Sequence, residues 1–109
     1  MPKGIMVVES YPASPEQAAE YHKWYNETHM PQILEVDGFV AARRFAPMGE
    51  DGPFVAIYEI EADDLEAARA RLTEATKSGR TTPPVGVRMD PPPVVHYYEE
   101  IAAVTERRS

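Results

Sequence analysis

Two of the chain's three histidines, two of its six tyrosines and its one tryptophan fall within Tyr21-His22-Lys23-Trp24-Tyr25-Asn26-Glu27-Thr28-His29-Met30-Pro31. An imidazole titrates near working pH, so it can take or give a proton where a thiol, amine or hydroxyl cannot. A phenol can donate to an oxygen as negative charge develops on it. Projected at about 100° per residue, Ala18, Tyr21, His22, Tyr25 and His29 share one arc. Lys23 and Glu27 point the other way. His29 then sits near the middle of a buried face, and it is the candidate general base for a carbon beside a carbonyl, or for a phenol. The bland alternative is a histidine satisfied by a backbone carbonyl at a helix end, where the dipole favours the charged ring.

Other side chains are candidates by strand phasing. Tyr58 and His96 are candidate catalytic partners of His29, on the third and fourth strands. Trp24, Tyr25 and Tyr98 are candidate substrate-binding aromatics, and a wall of such rings suits a planar or cyclic small molecule. Trp24 projects to the edge of the arc and is expected at a pocket rim. His22 is expected partly exposed, and Asn26 in water. Arg43 and Arg44 are adjacent on a strand and must point to opposite faces. Arg43 is the candidate clamp for a substrate carboxylate, with pairing to Glu9 or Glu59 as the plainer role.

Composition removes several classes of function. There are no cysteines, which excludes disulfides, thiolate nucleophiles and Cys-ligated metals. His22, His29 and His96 lack metal-ligand spacing and the carboxylates are scattered, so neither a metal nor a cofactor is expected. No glycine-rich phosphate loop and no G-x-S-x-G occurs. A net charge of −7 argues against nucleic acid. No apolar run approaches the ~18 residues of a membrane span. Met1 to Ile5 lacks the apolar core of a signal peptide, so a cytoplasmic location is expected.

The elements that must hold these groups follow from pattern. Residues 1–109 read as one domain. Gly4 to Ser10 is a β-rich run, apolar on both faces, expected as a central strand. Ser14-Pro15-Glu16-Gln17 has the cap, proline and Gln of a helix start. The helix runs to Thr28 or His29, where Pro31 is expected to stop it. Pro31 to Val36 adds a short helical turn that Asp37-Gly38 ends. Phe39 to Phe45 is a second strand, and Pro47 to Pro53 a turn-rich hairpin loop. Phe54 to Ile60 is a third strand. Asp63 is expected to cap a second helix, whose inner face is Leu65, Ala68, Leu72 and Ala75. Residues 79–93 carry five prolines and are expected as an ordered loop, rim or lid. Val94 to Ile101 is a fourth strand, and Ala102 to Ser109 a tail. The order β-α-β-β-α-β is the split βαβ or ferredoxin-like plan, an α+β sandwich with both helices on one face of an antiparallel sheet. Strands apolar on both faces need a cover on the helix-free side, and a second copy of the chain is the expected one. The expected partners are therefore a small molecule and a homodimer mate through the sheet faces.

The segment from Glu20 to Pro31, followed by Val36-Asp37-Gly38-Phe39 and Arg43-Arg44, resembles the EthD-like branch of the dimeric α/β-barrel superfamily. The shared pattern is an aromatic-rich helix ending in His-x-Pro, then a turn into a strand with basic residues. Asp37 stands where that branch commonly has proline. The resemblance implies a pocket between sheet and helices where His and Tyr move protons, with His29 matching the helix histidine. It implies a cofactor-free isomerase, cyclase or lyase acting on a hydrophobic, oxygenated ring compound. A non-enzymatic binding or accessory protein is the alternative, and a cofactor-independent monooxygenase a third reading.

Overall fold

The computed structural model describes residues 2–49 and 51–106. Glu50 of the hairpin loop and the last three residues of the expected tail lie outside them. Strand β1 (Lys3–Ser10) alternates its burial residue by residue. It occupies a central place in the sheet order β2-β3-β1-β4, with β2 at Phe39–Phe45, β3 at Phe54–Glu61 and β4 at Val94–Glu99. All three pairings are antiparallel. This is the ferredoxin-like α+β plan expected from the element order. The fourth strand ends at Glu99 rather than Ile101.

The first helical stretch differs from its expectation. Ser14 Oγ accepts from the Gln17 amide at 3.2 Å, as the capping motif requires, but the first turn is a tight 3-10 turn over Pro15–Gln17. Helix α1 (Ala18–Lys23) follows. Pro31 does not stop the chain. Residues Trp24–His29 widen into a π-helical segment, and α2 (Met30–Leu34) continues with Pro31 in its first turn. The physical reason is that an α-helix would press the Pro31 ring on the Glu27 carbonyl and leave that carbonyl unbonded. A π turn shifts the bonding partner by one residue, and the Met30 amide accordingly bonds Tyr25 O.

Helix α3 (Leu65–Lys77) buries Ala68, Leu72 and Ala75 as its periodicity demands. Its cap is Asp64, not Asp63: Asp64 Oδ1 accepts from the amides of Glu66 at 3.0 Å and Ala67 at 3.3 Å. Only Asp64 has the extended backbone of a cap whose side chain reaches those amides. Gly38 turns the chain into β2 with φ of 102°.

The core lies between the helices and one sheet face. That face carries Met6, Val8 and Ser10 from β1, and Ala56, Tyr58 and Ile60 from β3, all buried. Tyr21, Trp24, Tyr25, Ile33, Ala68 and Leu72 pack on it. Among the described residues no helix is long and apolar enough to cross a membrane.

Candidate functional site

A cavity of about 720 Å3 opens between the sheet and the helices. Its inner wall is apolar, with Met6, Val8, Ile33, Leu72, Val87 and Val95 facing it. Its polar wall comes from Trp24, Tyr25 and His29 on one side, and from the end of α3 with the following proline-rich loop on the other. Pro83, Pro84 and Pro93 line it, so the proline-rich segment forms part of the wall.

That segment is pinned against the first helix. The Ala13 amide donates to Gly86 O at 2.7 Å and the Arg88 amide to Tyr11 O at 2.9 Å. Gly86 has φ of +71°, and a Cβ there would lie 3.0 Å from the Tyr21 amide nitrogen and 3.1 Å from Gln17 O. Only glycine lets the loop sit this close to helix backbone without strain.

His29 is on the cavity wall, in the π segment. The segment turns by roughly 80° per residue instead of 100°, which swings Trp24 and His29 onto one face. Their rings stack at 4.3 Å with an interplanar angle of 16°. Tyr25 meets His29 edge-on at 5.4 Å. Trp24 is therefore a buried wall residue rather than a rim residue. Because the helix continues, no free C-terminal carbonyls favour the charged ring. Burial dominates and lowers the His29 pKa to about 4. The neutral ring's Nδ1 is buried without a hydrogen-bond partner, as are Trp24 Nε1 and Tyr58 Oη.

Tyr58 points to the helix side, as a site role requires, with its ring 6.5 Å from that of His29. It is fully buried and lies behind the cavity wall rather than on it. Burial raises its pKa, reinforced by Tyr25 and opposed by Arg44, so the phenol stays protonated.

His96, Tyr98 and Arg43 do not join the site. In β4 the residues facing the cavity are Val95 and Tyr97. His96 pairs with Val7 and Tyr98 with Ile5, placing both on the helix-free face, where both are exposed. Arg43 pairs with Ile57 on that same face, and its guanidinium lies 3.5 Å from Glu59 Oε2. The plainer role expected for Arg43 is the one it fills. Sequence alone left the strand phase open because both faces are apolar.

Further residues support these walls. Ser10 Oγ, buried, lies 2.7 Å from Tyr21 Oη and donates to Tyr25 Oη at 3.2 Å. Arg44 projects to the helix side, 4.7 Å over the Tyr25 ring and 5.3 Å over the Tyr21 ring. Its Nη1 donates to Asn26 Oδ1 at 3.0 Å, so Asn26 does not merely face water. His22 is half-buried against Phe54, and its pKa is lowered by burial first and by Arg44 second. Together these brace the Tyr25 ring that forms one wall. Thr76, Thr81 and Thr82 supply hydroxyls at the opposite wall. Arg44 was legible as one of an adjacent pair, but a lone Ser or Thr carries no sequence signal of its own.

Among the described residues no three His, Cys, Asp or Glu side chains converge as metal ligands do.

No protein-family profile and no curated protein matches the chain. Solved structures do. A monooxygenase from the ActVA-Orf6 gene of Streptomyces coelicolor, in complex with the ligand nanaomycin D, superposes with a TM-score of 0.54 at 20% identity, over 95% of this chain and 93% of that one. An ethyl tert-butyl ether degradation (EthD) family protein from Bacillus halodurans C-125 gives 0.52 at 18% identity, over 93% of this chain and 100% of that one. At such identities the likeness establishes a shared ferredoxin-like fold across nearly the whole chain.

Proposed function

We propose that the chain is a small cofactor-free enzyme in which neutral His29 moves a proton on a hydrophobic, oxygenated ring compound held in the cavity. The observation that carries this reading is a cavity wall that includes His29, an imidazole whose buried Nδ1 has no hydrogen-bond partner. A histidine kept for structure would bond a carbonyl; this one stacks on Trp24, and its Nδ1 makes no hydrogen bond within the chain. The lowered pKa keeps it in the accepting form across ordinary pH. Trp24 and Tyr25 then pack the ring of the substrate. The reaction class is isomerisation, cyclisation or elimination. The protomers pair through their helix-free faces, leaving one such site in each.

The test is deuterium exchange at the α-carbons of a panel of bicyclic aromatic ketones, followed by proton NMR in heavy water. Wild-type protein is expected to exchange at least one of them, and His29→Asn to slow that exchange by 10²- to 10⁴-fold, the usual worth of a general base. Equal exchange by both proteins overturns the mechanism. A ligand bound and returned unlabelled by both supports the binding-protein reading.

One observation favours a second reading, a cofactor-independent monooxygenase: one fold neighbour is a monooxygenase solved with nanaomycin D. Oxygen uptake with hydroquinone substrates, abolished by anaerobiosis, would select it.

A further inference from the structure

The cavity carries a charge pattern that the proposed proton transfer does not use. The protein has 18 acidic residues and a net charge of −7, yet among the described residues no carboxylate lines the cavity. With His29 neutral, its single charged wall residue among the described residues is Lys77, in the last turn of α3. The three ion pairs among the described residues are Arg43–Glu59, Arg69–Glu66 and Arg71–Asp37, and none includes Lys77. Next to it, Thr76 Oγ1 accepts from Thr81 Oγ1 at 3.3 Å, which leaves the Thr76 hydroxyl hydrogen uncommitted. Thr81 is 7% exposed and Thr76 is exposed, and both line the cavity.

An ammonium and a free O–H on successive residues lining an apolar cavity can together recognise an anion. A fully neutral ligand would leave both unused. The acidic protein repels anions at long range, and an uncompensated cation at the cavity is what lets one dock there. We infer that the ligand is an amphiphile: an apolar ring body against Trp24, Tyr25 and the aliphatic wall, and one carboxylate-like anionic group at Lys77 and Thr76. This rests on the cavity being the substrate site as proposed above, but not on His29 being a base.

Two fluorescent probes of one ring skeleton test it. 1-Anilinonaphthalene-8-sulfonate carries an anionic group, and N-phenyl-1-naphthylamine lacks it. Both are expected to bind wild-type protein. Lys77→Gln is expected to weaken the sulfonate about 5- to 10-fold, with the neutral probe unchanged. Lys77→Arg is expected to retain the preference, and added salt to erode it for the sulfonate alone. Thr73→Trp, at an exposed cavity position, should displace both probes and so distinguishes the cavity from the apolar sheet face. Lys77 also complements the α3 dipole, which thermal melting would register but a difference between two probes would not. Equal loss of both probes in Lys77→Gln, no loss of either, or no binding to wild-type protein each overturns the inference. Probe discrimination with a fully active His29→Asn would instead sink the mechanism and leave the inference standing.

Discussion

At the scale of single residues, the sole tryptophan stacked on the candidate base is a built-in reporter. A protonated imidazole quenches indole emission more strongly than a neutral one. Trp24 fluorescence should therefore fall on acidification with a midpoint near 4, the His29 value, rather than near the 6.5 of a free ring. His29→Leu should abolish the step. A midpoint near 6.5 in the folded protein means that the ring is not desolvated as the structure has it. The same shift fixes a sign for stability. The folded pKa lies below the unfolded one, so between 6.5 and about 4 the unfolded chain binds more protons. Stability is then lost as pH falls through that window, by up to about 3 kcal/mol, and is unaffected by this group above it. Urea denaturation at several pH values should show a flatter dependence in His29→Leu over that window. Gly86 offers a second local test. Gly86→Ala puts a methyl against Tyr21 backbone at positive φ, and it should cost about 1–3 kcal/mol of stability. A thermal shift under a degree would show that the loop can move aside.

At the scale of elements, the π segment explains both what the sequence showed and what it concealed. His29 was legible as a buried ring from its place beside Tyr21 and Tyr25, since i, i+4 neighbours stay close in either helix type. The Trp24–His29 stack was not, because an α projection sets those two roughly 140° apart and only the wider turn brings them together. Strand existence and order were legible from apolar runs and turn residues, and β2 and β3 both begin where those runs begin. Strand phase was not, since Ile5 and Val7 look no different from Met6 and Val8 to a hydrophobic pattern. Hence Tyr58 came out on the helix side of the sheet, and His96, Tyr98 and Arg43 on the other. If Pro31 is what enforces the π turn, Pro31→Ala should restore α geometry, separate Trp24 from His29 and weaken the near-ultraviolet dichroism of the tryptophan. The fluorescence midpoint should move from about 4 towards 6.5 as His29 regains water. An unchanged spectrum and midpoint would assign the π turn to aromatic packing instead.

At the scale of the whole molecule, the helix-free face of the sheet is the feature a single protomer leaves unsatisfied. Ile5, Val7, Val55 and Ile57 stand on it only half-covered, and Phe45, Val94 and Tyr98 are 45%, 46% and 54% exposed. So many apolar side chains standing open on one sheet face are uncommon on a monomer and cost solubility. An isologous pairing of two such faces would bury it symmetrically, with roughly 800 Å2 removed from each protomer in an ordinary stable dimer. Ile57 opposes Val7 near the centre of the face, so Ile57→Lys buries a charge in the middle of the contact. Light scattering should give about 24 kDa for wild-type protein, twice the 12.2 kDa chain, and the single-chain mass for Ile57→Lys. Met48→Lys, at a fully exposed position between β2 and β3, is the control and should stay dimeric. A monomeric wild-type protein at tens of micromolar would sink the pairing. The neutral naphthyl probe adds a discriminating arm. The residues that line the cavity lie on the opposite side of the sheet, so the monomeric variant should bind the probe with wild-type affinity. Loss of probe binding on dissociation would mean that the partner copy holds the sheet in the shape the cavity requires, and catalysis would then depend on protein concentration.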